Sequence, residues 1–466
     1  MHEASMGKGT IILILIVIAF AALMDGVDAS IVNVALPVLA AEFGTDTGTI
    51  AWVTVIYFIM MAGLMIPFAR IAKNGSLKKV LFGGLLLFTV SSLFCGLSDN
   101  FPMLMIFRTA QGVGAAMMGA SVPMLCVKFL PVKSLGLGLG ILTMGSSLGF
   151  AIGPALGGIM IDIVSWHWLF LINVPMGLII LPLVLKVLPK DEKMSGNVDI
   201  IGAILLFTTI LFGALALERM PYSGESSLVL ISTFAFFICI SLFIFVELRK
   251  HDPILNVRVF KHHKFNAVFL AYLTINAAYM GILYLLPFYL NNTMGFSSSI
   301  SGAYLFIPPL ITLIVCIPIS RWSDRIGNRR SFSIIACLMM LMSFLSMSLF
   351  GRDGSLIPLI VALGGMGMMW GFCGGPMASR IVEEISDESR EIGSTLMNES
   401  IYLGGTVGTA LFAMVFTFGS GAGNVNFADL PSEIFLDGFE LAMIVGVAIS
   451  MVSLILSFLV SEKRSA

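Results

Sequence analysis

Four ionisable side chains lie inside apolar stretches that are long enough to cross a bilayer: Asp25, Asp28, Arg108 and Glu399. An ionised group near the centre of a membrane helix costs about 2.5–3.5 kcal/mol on insertion scales. Side chains kept at that cost commonly belong to an ion or substrate pathway. These four residues are therefore the candidates for the chemistry of the protein.

The two aspartates are three residues apart, so they share one face of a helix. Two carboxyl groups this close in a low dielectric do not both ionise readily. We expect one of them to exchange a proton near neutral pH, and Asp28, helped by Asp25, to couple proton entry to substrate exit. Two alternatives remain: a neutral aspartate bonded to the backbone or to Asn33, and a counter-charge for a cationic substrate.

The other two charges are predicted at different depths. Arg108 lies about 9 Å below the outer end of its span, at 1.5 Å per residue, within reach of Asp28. We expect it to face the interior and to tune Asp28 or a proton path; a tie to backbone carbonyls of the first span is the alternative. Glu399 lies on the inner half of its span, as a cation-recognition or second proton site, or as a cap or ion pair at the interface.

Composition explains why these charges are conspicuous. The chain has 466 residues, of which 58% are hydrophobic and 11% charged, against about 25% charged in soluble domains. This excludes a soluble enzyme, a disordered chain and a nucleic-acid binder. The sequence has no glycine-rich phosphate loop and no nucleophile–base or metal constellation. We therefore expect no enzyme activity and no cofactor, with an ion gradient as the energy source.

Apolar segments of about 20 residues predict helical membrane spans. Fourteen are predicted, at residues 10–38, 48–68, 79–97, 103–127, 134–161, 167–187, 199–217, 227–247, 266–290, 300–319, 332–350, 356–378, 393–418 and 437–460. The even number places both termini on one side. With that side inside, 23 of the 26 Lys and Arg residues fall on inner segments. This asymmetry predicts cytoplasmic termini in a multi-pass protein of the inner cell membrane.

The chain contains a weak internal repeat. Three pairs of positions recur at offsets of 250 to 252: Pro37 with Pro287, Gly44 with Gly295, and Gly75 with Gly327. Spans 1–6 therefore match spans 9–14, and spans 7 and 8 are an insertion. We predict a six-helix bundle over 1–190, two inserted helices over 191–250, and a second bundle over 251–466. Substrate binding between two such halves is typical of secondary transporters.

Several motifs resemble the major facilitator superfamily, and within it the fourteen-span drug:proton antiporters of the multidrug efflux type. They are Asp28-Ala29-Ser30-Ile31-Val32-Asn33-Val34-Ala35-Leu36-Pro37 in span one, Arg108, Gln111, Gly112 and Gly114 in span four, Gly145, Gly149, Gly153, Pro154, Gly157 and Gly158 in span five, and Trp166-His167-Trp168-Leu169-Phe170-Leu171-Ile172-Asn173-Val174-Pro175 entering span six. The resemblance implies an all-α polytopic membrane protein with the major facilitator fold, two pseudo-symmetric six-helix bundles and two inserted helices.

Two of the motifs are expected to serve in gating. In span five, the glycines recur every four residues, which lets helices approach closely, and Pro154 interrupts the backbone hydrogen bonding. In the second half, the loop with Asp324, Arg325, Gly327 and Arg329 matches the family's conformational latch. Its first-half counterpart departs from the pattern at Phe68 and Ala72.

The sequence thus predicts a proton-coupled exporter of amphipathic compounds that works by alternating access. Three intramembrane acids against one base favour a cationic substrate. The alternatives are a dedicated exporter or symporter of a metabolite or peptide on the same fold, and a membrane sensor without flux. The expected partners are a small-molecule substrate, protons and the lipid bilayer, with no nucleic acid, and we expect a monomer.

Overall fold

The computed structural model describes residues 8–191, 199–222, 224–250, 253–383 and 390–459, and these parts of the chain are helical with short connections. Fourteen helices are labelled here in chain order, three of them in two segments. They are α1 Lys8–Glu42, α2 Thr47–Ile71, α3 Leu77–Cys95, α4 Phe101–Phe129, α5 Val132–Ile163, α6 Trp168–Leu171 with Asn173–Val187, α7 Ile200–Arg219, α8 Ser226–Arg249, α9 His263–Asn292, α10 Ser298–Leu305 with Ile307–Ile326, α11 Arg329–Phe350, α12 Leu356–Gly374 with Pro376–Glu383, α13 Arg390–Ser420 and α14 Ser432–Leu459.

Within the described residues, 13 helical segments are long and apolar enough to cross a membrane. One of them, Thr47–Cys95, has 49 residues, about twice what one crossing needs. Gly75 interrupts it with φ 114°, and the chain reverses there. This segment therefore supplies two crossings, α2 and α3, and the predicted fourteen spans are confirmed.

In α6 and α10, prolines break helices that the sequence predicted as continuous; the break in α12 at Gly375 likewise precedes a proline, Pro376. The α6 segments separate at Ile172 and the α10 segments at Phe306. Pro175 follows the first break, and Pro308 and Pro309 follow the second. A proline ring clashes with the carbonyl four residues earlier and has no N–H to donate. Both breaks thus follow from the local sequence.

The internal repeat reappears in the backbone. Gly44 and Gly295, at the ends of α1 and α9, have φ 60° and 65°. Gly75 and Gly327, in the α2–α3 and α10–α11 turns, have φ 114° and 69°. Residues with a Cβ rarely adopt such angles. Two turns occur once in each half, and the backbone angles of both turns explain why glycine stands at these four positions.

Helix packing follows the repeat as well. In the first half α1 packs on α5, α2 on α4, and α3 on α4 and α6. In the second half α9 packs on α13, α10 on α12, and α11 on α12 and α14. The halves meet where α2 packs on α13 and α5 on α10, which are equivalent pairs. We call this boundary the seam.

The inserted helices lie beside the seam. Helix α7 packs on α8 and also contacts α2 and α13. In the most apolar stretch of α8, only 11% of the residues are buried, as expected for a helix that faces lipid. The segments 192–198 and 251–252 lie outside the described residues, so the predicted limits at 190 and 250 stay predictions. The first seven residues and residues 460–466, with the predicted position of the termini, also lie outside the described residues.

The helix bundle has two opposite faces at which the connections between helices lie. The face at which α1 begins is called the proximal face. The opposite face, with the α1–α2 turn at residues 43–46, is called the distal face. Since α5 and α9 run in the same direction as α1, the α5–α6 and α9–α10 turns also lie at the distal face.

Candidate functional site

Asp28 lies at the centre of a buried polar network in the first half. Its carboxylate is fully buried. Oδ2 accepts from Arg108 Nη1 at 2.5 Å, and Oδ1 accepts from Gln111 Nε2 at 2.8 Å and from Asn173 Nδ2 at 3.1 Å. Helices α4 and α6 thus converge on one acid of α1.

Arg108 is also buried, with 1% of its side chain exposed. Its Nε donates to the Val53 carbonyl of α2 at 3.0 Å, and Nη1 also donates to Gln111 Oε1 at 2.8 Å. The ring of Tyr57 packs against the guanidinium, 4.2 Å from its carbon. The predicted interior position and contact with Asp28 are both present. The backbone tie exists too, but to α2 rather than to the first span.

Two residues of this network were not selected as site residues from the sequence. Gln111 donates to Ser92 Oγ at 2.8 Å as well as to Asp28, so it links α4 to α3. Asn173 reaches Asp28 from the start of the second α6 segment, just after the break at Ile172. Both residues belong to the family motifs of spans four and six, and this membership was the signal in the sequence that could have selected them. Their spacing from Asp28 does not show that they contact it.

This arrangement ties α1 to α4 and α6 through one buried charge. A buried ion pair offsets its desolvation cost only when its remaining donors and acceptors are satisfied, and three donors satisfy Asp28. A proton on Asp28 would remove the negative charge that all three donors approach. The same chemical step would weaken the ties from α4 and α6 together.

Asp25 lies beside this network but is only half-buried. The Tyr57 hydroxyl donates to its Oδ1 at 3.1 Å. Tyr57 therefore connects the two acids, since its ring covers Arg108 and its hydroxyl contacts Asp25. On the other side, Tyr402 of α13 interacts with Asp25 from across the seam. Asp25 thus joins the charge network to the second half.

Glu399 is the acid of the second half. It is 2% exposed, and neither carboxylate oxygen has a hydrogen-bond partner among the described residues. Tyr402, one turn along α13, interacts with both Glu399 and Asp25. The interfacial cap or ion pair considered from the sequence is wrong, because the helix begins at Arg390 and carries Glu399 into the interior.

Asn33 does not join the network. Its Oδ1 accepts from Thr54 Oγ1 at 3.4 Å, and it lines a narrow crevice with Ser30, Pro154 and Leu283. Five helical residues separate it from Asp28, a rotation of about 140°. The suggested Asp28–Asn33 contact is therefore wrong.

The glycines of α5 are contact points for neighbouring helices. A Cβ on Gly149 would lie 2.5 Å from the Leu23 carbonyl of α1, and one on Gly153 would overlap Ser30 Oγ. Gly157 faces Ile31 and Val34. Gly158 instead faces the Ser298 carbonyl of α10, and Gly302 of α10 faces the Pro154 carbonyl. The stripe thus packs α5 both within its own half and across the seam.

The second predicted gating motif lies at the proximal face. Arg325 is exposed near the end of α10, Gly327 makes the left-handed turn, and Arg329 begins α11. Asp324 lies in the last turn of α10, and its side chain is outside the described part of the structure. The assigned latch role stays a prediction.

Comparison with known proteins identifies the family. The Major Facilitator Superfamily profile matches residues 18–409. The chain belongs to the Major Facilitator Superfamily. It is a multi-pass membrane transporter rather than an enzyme, as expected. A solved superfamily structure, a bacterial homologue of the human lysosomal transporter Spinster in an inward-facing and unoccupied conformation, has the same fold, with a TM-score of 0.69 at 15% identity over 98% of both chains.

Curated relatives within the superfamily carry different names. The riboflavin transporter RibZ of Clostridioides difficile is 28% identical over 87% of this chain and 88% of its own length. The multidrug resistance protein Stp of Mycobacterium tuberculosis is 28% identical over 87% and 76%. The methylenomycin A resistance protein of Bacillus subtilis is 26% identical over 89% and 91%. The resemblance to transporters of the multidrug efflux type is confirmed.

Proposed function

We propose that this superfamily member exports amphipathic organic compounds, cations among them, in exchange for protons. It would work by alternating access in the cytoplasmic membrane, with the proximal face and both termini in the cytoplasm. The observation that carries the proposal is the buried contact of Asp28 with Arg108, Gln111 and Asn173. A carboxylate held by three donors from two other helices converts proton uptake into helix movement.

The substrate class follows from the acids nearer the seam. Asp25 is half-buried, and the Glu399 carboxylate has no hydrogen-bond partner among the described side chains. An unpaired buried carboxylate is costly, so a proton or a cation that reaches it is stabilised. Aromatic rings in the second half, among them Tyr279 and Trp370 with centroids 5.6 Å apart, offer cation–π and apolar contacts.

Alternating access requires that one face be closed while the other opens. At the distal face, Asp162 of α5 accepts from the Ser299 N–H of α10 at 2.7 Å, and the Tyr284 hydroxyl of α9 donates to the Thr47 carbonyl of α2. These bonds cross the seam, which supports a closed distal face. We assign that face to the outside, because the positive-inside rule puts the proximal loops in the cytoplasm.

A direct test uses purified protein in proteoliposomes with an imposed pH gradient. Lumenal pH is followed while lipophilic cations, neutral drugs and acidic metabolites are added in turn. The proposal expects proton flux with several unrelated cations, and no such flux for Asp28→Asn. The matched control is Asp437→Asn, a distant exposed aspartate, which should behave as wild type. Cation-triggered proton flux in Asp28→Asn at the wild-type rate would contradict the role given to Asp28.

A second candidate is a dedicated metabolite transporter, which the similarity to the riboflavin transporter favours. Riboflavin carries no net charge at neutral pH, so it does not need an unpaired carboxylate. The same panel separates the two candidates. Flux with a single neutral or acidic compound, and with none of the cations, would favour the dedicated transporter on the same fold.

A further inference from the structure

The start of α2 is a meeting point at the distal face. The Thr45 carbonyl accepts from the Phe427 N–H in the α13–α14 connection at 3.2 Å, and the Thr47 carbonyl accepts from Tyr284 of α9. Both donors belong to the second half. The first half thus presents two carbonyls, two residues apart, across the seam when the distal face is closed.

The residue between them contacts the insertion. Asp46 accepts from the hydroxyl of Tyr222, in the α7–α8 turn, at 2.6 Å. The same carboxylate caps α2 by accepting from Thr49 N at 3.0 Å and from Thr49 Oγ1 at 2.7 Å. Burial, and next the Asp46 carboxylate, raise the pKa of Tyr222 far above its usual value. The hydroxyl therefore stays protonated and donates at every physiological pH.

Tyr222 also lies next to the second half. It lines a cavity at the distal face together with Thr417 of α13 and Gly423. A Cβ added to Gly48 of α2 would meet both the Tyr222 hydroxyl and, at 3.2 Å, Thr417 Oγ1. Tyr222 therefore lies in the seam between α2 and α13, where the two halves separate if this face opens.

The turn that carries Tyr222 is held by charged groups. Glu218, with 1% of its side chain exposed, pairs with Arg219 Nε at 2.8 Å and lies beside Trp52 and Asp46. Arg219 Nη1 reaches Glu225 at 3.2 Å on the other side of the turn. The end of α7 is thus packed against α2 through more than apolar contact. Because the predicted span ends at residue 217, Glu218 is not among the four predicted intramembrane charges.

We propose that the inserted helices are a working part of the distal gate and that Tyr222 is its latch. The Tyr222–Asp46 bond forms when the distal face closes and breaks when it opens. Opening must part α2 from α13, and α7, which packs on both helices, cannot keep both contacts; the proposal assigns the loss to the α2 side. The inference rests on the proposed alternating access, but opening can be measured without transport, so the two proposals can fail separately.

The test measures opening of the distal face by chemical labelling. Ser298→Cys, which faces Gly158 across the seam, is introduced after replacement of the six native cysteines. A membrane-impermeant maleimide is applied at the distal face. Tyr222→Phe removes only the hydroxyl, and a hydrogen bond to a carboxylate is worth about a tenfold change in the closed–open equilibrium. The labelling rate is therefore expected to rise about tenfold.

Matched controls give the result its meaning. Tyr289→Phe also removes a buried tyrosine hydroxyl, but that hydroxyl donates to the Gly351 carbonyl within the second half at 2.7 Å. It should leave labelling unchanged, whereas Tyr284→Phe should raise it. If Tyr222→Phe is labelled at the same rate as Tyr289→Phe, the proposal that the Tyr222–Asp46 bond holds the distal face closed is wrong.

A second variant does not depend on Tyr222→Phe folding well. In a double variant, Asp46→Cys and Tyr222→Cys, the two thiols are joined by a short bifunctional reagent, which ties the insertion to α2. If the Tyr222–Asp46 bond must break for opening, cross-linking should stop labelling at position 298. Cleavage of a reducible linker should then restore the labelling. Labelling that continues unchanged in the cross-linked protein would show that the bond need not break when the face opens.

Discussion

Arg108 donates to Asp28 over 2.5 Å while both side chains are almost completely buried, so each charge depends on the other inside the membrane. The pair joins α1 to α4, and the second bond of Arg108 to Val53 extends the tie to α2. Neutralising Asp28 therefore acts on four helices of one half, since Asn173 of α6 also donates to it.

The first prediction concerns the stability of this pair. Arg108→Met alone should lower the free energy of unfolding by about 3–5 kcal/mol, because it leaves the Asp28 charge buried without its partner. The double variant Asp28→Asn, Arg108→Met should recover much of that loss, since no buried charge remains. Unfolding of the four proteins in detergent completes the cycle. Strictly additive losses would mean that the two residues do not interact energetically.

A second prediction separates substrate recognition from folding at Glu399. Glu399→Gln should reduce the transport of cations at least tenfold and leave the transport of neutral compounds largely unchanged. Its thermal stability should be at least that of wild type, because a neutral amide costs less than an unpaired carboxylate in this place. Transport rates for matched cationic and neutral dyes test this. Equal losses for both dyes would assign Glu399 to a step common to all substrates.

The third prediction tests the close packing of α5 on α1. Gly153→Ala should lower the free energy of unfolding by about 1–3 kcal/mol and impair transport, because its Cβ would overlap Ser30. Gly140, on the same helix, is the matched control, because a Cβ added there would have no neighbouring atom within 4 Å. Gly140→Ala should be neutral or slightly stabilising. Similar effects of the two substitutions would argue against a packing role for the stripe.

The fourth prediction concerns the seam between α5 and α10. A Cβ on Gly302 would overlap the Pro154 carbonyl of the opposite half. Gly302→Ala should therefore push α5 and α10 apart and keep the distal face from closing fully. Passive proton leak through proteoliposomes should rise several-fold above wild type. Gly295→Ala, at the adjoining turn, has open space around the added Cβ but a φ of 65°, so it tests local backbone strain alone. Leak that rises equally in both would not support a seal at Gly302.

Much of the architecture could be read from the sequence because its signals are local. Span length and the positions of Gly44 and Gly295 needed no knowledge of distant contacts. The breaks at Ile172 and Phe306 could also have been predicted, because Pro175 and Pro308 follow them. The α2–α3 turn still has a glycine with positive φ, Gly75, although Ala72 departs from the family's pattern.

The site was harder to predict because its geometry is set by helix rotation and register. The depth of Arg108 placed it near Asp28, and the structure brings them together. Asn33 was misplaced, because closeness in sequence to Asp28 hides a rotation to another face of α1. Asn173 lies 145 residues from Asp28, and nothing short of the packing of α6 against α1 shows that they meet. Tyr402 reaches Asp25 from the other half for the same kind of reason.

If Asp28 carries the coupled proton, Asp28→Asn should separate the exchange of substrate from its accumulation. Proteoliposomes loaded with unlabelled substrate are given labelled substrate outside, with and without a pH gradient, for wild type and Asp28→Asn. We expect Asp28→Asn to exchange substrate still at equilibrium but no longer to accumulate it against its gradient when the pH gradient is imposed. Accumulation by Asp28→Asn to the wild-type level, driven by the same pH gradient, would contradict it.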